Sequence, residues 1–425
     1  MSNRVLDELR EMGKTDVLSF ATTRHETRLQ AERELLAAAY QWAVLHNPDA
    51  LDPFSKCAAD RARPAGAAGT PLITEYAAAA FGARIQTSPF GAKRLIADAV
   101  DIHHRLPRLQ AGVTAGTVRV GHARHVATAT RDLSDDEAAW VDNEVHESAD
   151  GRLGWARFEA LVEGKVAAAA PATAAAKERA AALEHGIRPA RVNKHGTATL
   201  TVRGDAATIM SIEHAARVRA KELEETLPGT TFGQRQIAAL AGNVGAGKPR
   251  AKIYLHLAPG SPITRMEGHG PLTRDYVRHL VRDIAGHVRV QPVIDLNQTI
   301  AVDAYEIPDR LRQAVRLIHP GDVFPYAVNL SRAMDLDHQI PYNEGGPTST
   351  DNLGPVTRSH HRIKTHDNWE VRQPFPGITI WRDPYGAHYL VDPTGTRRIT
   401  TDTDGEASGS RLEVYTTQLL LDLAG

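Results

Sequence analysis

Cys57 is the sole cysteine among 425 residues, and this removes two common ways of holding a fold together. One thiol closes no intramolecular disulfide and builds no cysteine-type zinc site. Stability must therefore come from apolar burial. A chain that is 42% hydrophobic and 24% charged has enough material for one large domain or two to three ordinary ones. The lack of disulfides suits a reducing compartment. The opening residues, MSNRVLDELREMGKTDVL, mix charges of both signs among apolar residues. No window approaches the roughly 18 uninterrupted apolar residues of a membrane span. A cytoplasmic protein that does not engage membranes is the expectation. The balance of 50 Lys and Arg against 51 Asp and Glu excludes a globally basic nucleic-acid coat. Any contact with DNA has to come from a local cluster of cations.

Periodicity divides the chain. Residues 22–46 place apolar positions at helical spacing among good helix formers, and further helical windows follow at about 73–82, 88–104, 116–131 and 134–147. Ser134 and Glu137 have the spacing of a capping box. The alanine-rich run 167–186 reads equally as a solvated helix interrupted at Pro171 or as a linker. Alternation in HGTATLTVRG, 195–204, then marks a strand. It is followed by helices near 206–226 and 231–241, a strand at 252–258 and a helix near 272–285. The segment GITIWRDPYGAHYLV reads as a hairpin turning through Pro384 to Gly386. The polar stretch 394–410 precedes a short amphipathic end. The expected organisation is a helical region over 1–186, a mixed α/β continuation over 187–314, a C-terminal module over 315–392 and a tail over 393–425.

Chemistry concentrates in MDLDHQIPYNEGGPTSTDNLGPVTRSHHRIKTH, 334–366. Taken singly, each histidine here is an ordinary surface or ion-pairing residue. Taken together, D-H-x-x-P, then G-G, then N-L, then H-H-x-x-K bring an anionic ligand, an imidazole, an amide and a second ligand into about thirty residues. A divalent cation prefers hard oxygen and imidazole ligands, which selects Asp337 and His361 as the ligand pair for Mg²⁺ or another divalent ion. His338 is then available as a general base, since an ordinary imidazole is largely neutral at cytoplasmic pH. Asn352 has the role of orienting the loop or the His338 ring. Arg358, His360, Arg362 and Lys364 on the following basic turn are candidates for contacting phosphates.

This pattern resembles the ββα-metal module of HNH nucleases. Over about residues 25–385 the chain is similar to the 13E12-repeat family, which joins an N-terminal helical domain of unassigned role to a C-terminal HNH domain. The similarity is carried by SPFGAKRLIADAVDIHHRLPRLQAGVTAGTV at 88–118, GHGPLTRDYVRHLV at 268–281 and GDVFPYAVNL at 321–330. The resemblance implies a mostly α N-terminal domain, a small mixed α/β region and a ββα-metal endonuclease that hydrolyses DNA with one divalent ion. Family members carry a cysteine knuckle where this chain has Asp322, Ala327, Met334 and Thr357. No structural zinc is therefore expected. Apolar packing by Val323, Phe324, Tyr326, Leu330, Met334 and Leu353 is expected to replace it. The alternative is a non-catalytic nucleic-acid-binding protein that uses the helical domain and carries a decayed HNH site. Since all candidate catalytic groups lie beyond 300, a fragment starting there is expected to suffice for cleavage.

Weaker features complete the reading. Arg274, Arg278 and Arg282 recur on one helix face and offer either a phosphate contact or a plain solvated stripe. Residues 74–104 read as a helix-turn-helix or, preferably, as a hairpin within a bundle. GNVGAGKP, 242–249, mimics a phosphate loop but carries Pro249 where a hydroxyl is required, and is read as a loop. Trp369 and Trp381 are read as core packing rather than base-stacking platforms.

Overall fold

Local sequence decides where the N-terminal helices begin. Gly13 opens the Lys14–Leu45 helix, with the Asp16 carboxylate accepting from its N–H at 3.2 Å. Only Leu36, Ala39 and Ala43 on that helix are buried, a single stripe near its C-terminal end. Ser88 caps the Pro89–Arg105 helix, where proline supplies the first-turn φ and its missing N–H costs nothing. The Ser134–Glu137 capping box forms as expected at the start of Asp135–Val145. The computed structural model describes residues 3–50, 61–189, 197–243, 255–257, 263–266, 270–283, 296 and 299–399. The chain falls into two compact units, one made of 1–173 together with 295–425 and the other of 174–294.

In the first unit, the Pro89–Arg105 helix lies at the centre of a bundle with Ala77–Arg84, Pro107–Ala115, Val120–Ala129, Asp135–Val145 and Trp155–Ala169. Ten of its residues are buried, Asp98 and Asp101 included. Arg131 pairs with both carboxylates at 2.8 Å, and Arg124 meets Asp98 at 2.9 Å. The helix is an element of this bundle, and Ala77–Arg84 packs on it as the other arm of a helical hairpin. Two bundle helices, Pro107–Ala115 and Trp155–Ala169, are additions to the sequence reading. The run 167–186 is helical. It breaks at Ala170, resumes as Pro171–Leu183, and buries none of the latter's residues.

The same unit carries the sheet-rich C-terminal part. Ala301–Val302 pairs with Thr348–Ser349. The Asp309–Ile318 helix follows the first of these strands, packing Leu311 and Val315 against Leu353. Asp335–His338 and Leu353–Val356 form an antiparallel ribbon in which Asp337 lies opposite Gly354 and His338 opposite Leu353. The Arg358–His366 helix comes next. The expected hairpin is the inner pair of a four-stranded meander, Glu370–Phe375, Ile378–Arg382, His388–Asp392 and Gly395–Ile399. Trp369 and Trp381 are buried, as core packing requires.

The core beneath this meander is not built from C-terminal residues alone. Val323, Phe324, Ile363, Trp369, Trp381 and Tyr389 pack with Tyr76, Ala79, Ala80 and Ala83, while Ala77, Ala78 and Phe81 of the same Ala77–Arg84 helix belong to the bundle core. Small alanine side chains let one helix lie in two cores at once. Polar contacts fasten the same seam. Arg84 donates to both oxygens of buried Asp383 at 2.9 and 3.1 Å, and His46 Nε2 lies 2.8 Å from the Tyr385 hydroxyl.

In the second unit, Gly186–Pro189 pairs with Leu200–Arg203, and Ala206–Glu222 packs on Phe232–Asn243. Leu255–Leu257, Ile263–Met266 and Gly270–Thr273 form a sheet that precedes Arg274–Asp283. Most of the phosphate-loop mimic, from 244, lies outside the described residues; of the tail expected over 393–425, Gly395–Ile399 instead forms the last strand of the meander, and the part beyond 399 lies outside the described residues. Among those described, no helix is long and apolar enough to cross a membrane. The fold is mostly helical with a small sheet-rich C-terminal region, as expected.

Candidate functional site

Side chains alternate across a strand, so the two faces of Asp335–His338 have different environments. Leu336 turns to the small core of Leu311, Val315 and Leu353, and His338 shares its face. Asp335 and Asp337 turn to the opposite face, towards the Arg358–His366 helix. There His361 Nε2 lies 3.2 Å from Asp337 Oδ1, and His361 Nδ1 lies 3.5 Å from Asp335 Oδ2. The pair selected from sequence, Asp337 and His361, is thus brought together. The short helix that delivers His361 is positioned by Thr357, whose hydroxyl accepts from His360 N.

His338 and Asp337 leave the strand on opposite faces, and Lys364 links them. Its ammonium donates to Asp337 Oδ2 at 2.7 Å and to the His338 carbonyl. The His338 ring is buried, with Nε2 2.9 Å from Thr348 Oγ1. Tyr305 stacks on it at 5.7 Å and 10°, while Tyr342 meets it edge-on at 5.9 Å. Burial lowers the His338 pKa below the ordinary imidazole value; Asp337 opposes the shift and Lys364 adds to it. The shift favours the neutral ring.

Asn352 holds the connecting loop rather than the ring. Its carbonyl oxygen accepts from Ile340 N at 2.8 Å, and its amide donates to Ile340 O and Pro347 O at 2.9 Å each. The Gly-Gly pair follows from the same loop. Gly345 has φ +87°, and a Cβ on Gly346 would come within 1.9 Å of the Ile340 oxygen.

The candidate phosphate-binding residues are largely engaged with protein. Arg362 donates through both terminal nitrogens to Glu75 at 3.1 Å each, and Lys364 is committed to Asp337. His360 donates to Asp322 Oδ2 at 2.7 Å and stacks on Phe324. Arg358 is 76% exposed, with one nitrogen 3.1 Å from Asp335 Oδ2. Arg278 and Arg282 are exposed on their helix in the second unit, where Arg278 pairs with Asp275. Arg274 is partly covered on the same helix.

At the knuckle positions, Asp322 accepts from Phe324 N at 2.9 Å, from Thr357 N at 3.0 Å and from His360. Hydrogen bonds to one buried carboxylate join the segments there. Of the apolar residues expected to assist, Val323, Phe324 and Leu353 are buried, Tyr326 and Met334 are half-buried, and Leu330 is exposed. Asp322 and Thr357 were read only as lost cysteines; their polarity was the available clue. Asp335, Thr348, Tyr305 and Tyr342 also escaped the sequence reading. The D-x-D spacing on a strand could have revealed Asp335, because i and i+2 share a face.

The donors at Asp337 and His361 suit a divalent ion held in an open site. Neighbouring ligands of an octahedral ion at about 2.1 Å are separated by about 3 Å, near the observed 3.2 Å. Around this pair Lys364 donates to Asp337 Oδ2, Arg358 lies 3.1 Å from Asp335 Oδ2, and His361 Nδ1 is a buried atom without a hydrogen-bond partner. Among the described residues, no group of three or more His, Cys, Asp or Glu side chains forms a metal-binding cluster. Comparison with protein-family models, with curated proteins and with solved structures finds no match.

Proposed function

We propose that the protein is a metal-dependent endonuclease of the HNH type that hydrolyses DNA phosphodiester bonds. The observation that carries this reading is the ribbon-then-helix arrangement that sets Asp337 Oδ1 3.2 Å from His361 Nε2, with the buried His338 ring on the adjoining residue. In a ββα-metal site, Asp337 and His361 hold the cation, which supplies positive charge to the phosphate and the leaving oxygen. In the tautomer whose Nε2–H donates to the Thr348 hydroxyl, 2.9 Å away, the Nδ1 lone pair would be the one to receive a proton from attacking water. Asn352 fixes the loop that follows, and so the path of the chain beside the base.

The second reading, a non-catalytic nucleic-acid-binding protein, draws support from Lys364. Its ammonium already compensates the Asp337 charge that a cation would meet. One gel separates the two. Purified protein is incubated with supercoiled plasmid and magnesium, manganese or nickel, or with chelator. Nicking or linearisation that requires metal is expected; retarded but intact plasmid under every condition would establish the binder.

A further inference from the structure

Two tyrosines stand beside the proposed base, and the nuclease reading gives neither a task. Tyr305 stacks on the His338 ring with centroids 5.7 Å apart, and Tyr342 meets Tyr305 and His338 edge-on at 5.5 and 5.9 Å. The imidazole is buried, whereas Tyr305 is 68% and Tyr342 41% exposed. One face of Tyr305 is thus committed to His338 while its other face meets water. Separate elements deliver the two rings. Tyr305 follows Ala301–Val302, the strand paired with Thr348–Ser349, and Thr348 itself contacts His338 Nε2. Tyr342 opens the short turn Tyr342–Glu344, in the loop that Asn352 holds through Ile340 and Pro347. The cluster therefore shares the supports of the base, yet its rings forgo the stabilisation that burial gives an aromatic side chain.

What such a face can hold is set by what passes it. A strand whose phosphate is attacked beside His338 carries its neighbouring nucleobases past Tyr305 and Tyr342. Every base has a π-face, and stacking on an aromatic side chain requires no particular sequence. In an intact duplex those faces are covered by adjacent base pairs, so only an unpaired nucleotide presents one. Charge points the same way. Of the four residues suited to phosphate on the Arg358–His366 helix, Arg362 is held by Glu75, Lys364 by Asp337 and His360 by Asp322, and only Arg358 is largely exposed. Few available cations mean little counterion release, which leaves stacking to decide affinity at this place. The tryptophans of the module, Trp369 and Trp381, are buried and offer no such face. We propose that Tyr305 and Tyr342 form a stacking platform for an unpaired nucleobase next to the scissile phosphate, and that the substrate class is single-stranded or locally unpaired DNA rather than continuous duplex. The platform takes its purpose from the nuclease reading, though not its geometry.

Binding and cleavage are measured apart, both on the full chain. With chelator present, fluorescence anisotropy compares a labelled oligothymidylate with an abasic strand of equal length, which keeps the phosphates and lacks the bases. Wild-type protein is expected to bind the base-bearing strand about 5–100-fold more tightly, the factor that base stacking on an aromatic ring supplies. Tyr305→Leu, which keeps an apolar cover on His338, should lose most of that preference. Tyr305→Phe, which keeps the ring, should retain it. Equal binding of the two strands by wild-type protein, or a preference unchanged when Tyr305→Leu and Tyr342→Leu are combined, would overturn the proposal. With Mn²⁺ in place of chelator, a duplex containing an unpaired bubble should be cut faster than the fully paired duplex, and equal rates on the two would overturn it as well. A Tyr305-dependent preference for bases without any metal-dependent cleavage would uphold the platform and remove the nuclease reading. Metal-dependent cleavage with no preference for bases would keep the nuclease and remove the platform.

Discussion

His360 and His361 are neighbours on one short helix, each facing a carboxylate, yet their surroundings differ in kind. His360 is 12% exposed, bonded to Asp322 at 2.7 Å and stacked on Phe324. Its partner Asp322 takes two backbone N–H groups as well, so the segments around 322 and 357 are tied together by a satisfied centre. His361 is 32% exposed and lies between Asp335 and Asp337 with one buried nitrogen unbonded. Buried polar groups are costly unless paired. On the His360 side that cost is met internally, and the group holds the ribbon to the helix. On the His361 side it is left unmet at Nδ1, the nitrogen that faces Asp335, while Nε2 faces Asp337.

The comparison can be broken at either side. The largest effect is expected at the base: His338→Ala should lower turnover on plasmid by about 10²–10⁴-fold, while circular dichroism shows the fold retained. Full activity in that variant would remove His338 from the chemistry. Next comes acid stability. His319 is buried beside Gln373, and burial lowers its pKa to about 4. Its folded pKa lies below the unfolded value of 6.5, so the unfolded chain binds the extra proton first as pH falls. Stability should therefore be complete above about pH 6.5 and decline towards pH 4 by roughly 3 kcal/mol from this group. Urea titrations of wild type and His319→Gln at pH 7 and pH 5 should show a smaller loss in the variant; equal losses would refute the assignment.

A smaller change is expected at the closed centre. Asp322→Ala strands the N–H groups of Phe324 and Thr357 and should cost about 2–3 kcal/mol in urea unfolding. His361→Gln, at the open centre, should abolish metal-dependent cleavage with a stability change within about 1 kcal/mol. Equal destabilisation by the two would erase the distinction between the sides. The smallest effect is thermal. Chelation should stop cleavage yet leave Tm nearly unchanged, because Asp322 ties the segments around 322 and 357 through hydrogen bonds and a weakly held ion adds little linkage. A large drop in Tm would imply a structural metal elsewhere.

Local features were legible in the sequence, and long-range partners were not. The capping box at Ser134, the alternation at 200–203 and the turn at 384–386 depend on neighbouring residues and could be read directly. The Pro107–Ala115 helix was hidden because Pro107 reads as a break, although at the first position it starts a helix. The Asp337–His361 pairing followed from the order of the motif, but the fate of Arg362 did not. Its partner Glu75 is 287 positions away in the chain, and no periodicity encodes that contact. The expectation of a self-sufficient fragment from 300 meets the same limit. Removing the Ala77–Arg84 helix would strip Ala79, Ala80 and Ala83 from the core that holds Trp369, Trp381 and Tyr389. Such a fragment lacks one wall of its own interior.

That two-sided helix also bears on how the chain is made. Its outer face is synthesised roughly 240 residues before Val323 and Phe324 leave the ribosome, a wait of about 12–50 s at 5–20 residues per second. During that interval the bundle can close around Ala77, Ala78 and Phe81. Tyr76, Ala79, Ala80 and Ala83 then form an apolar strip with no native cover while the whole second unit is still being translated. The nascent chain therefore passes through a stage in which this strip awaits its cover, and completion of the C-terminal sheet is the event that ends it.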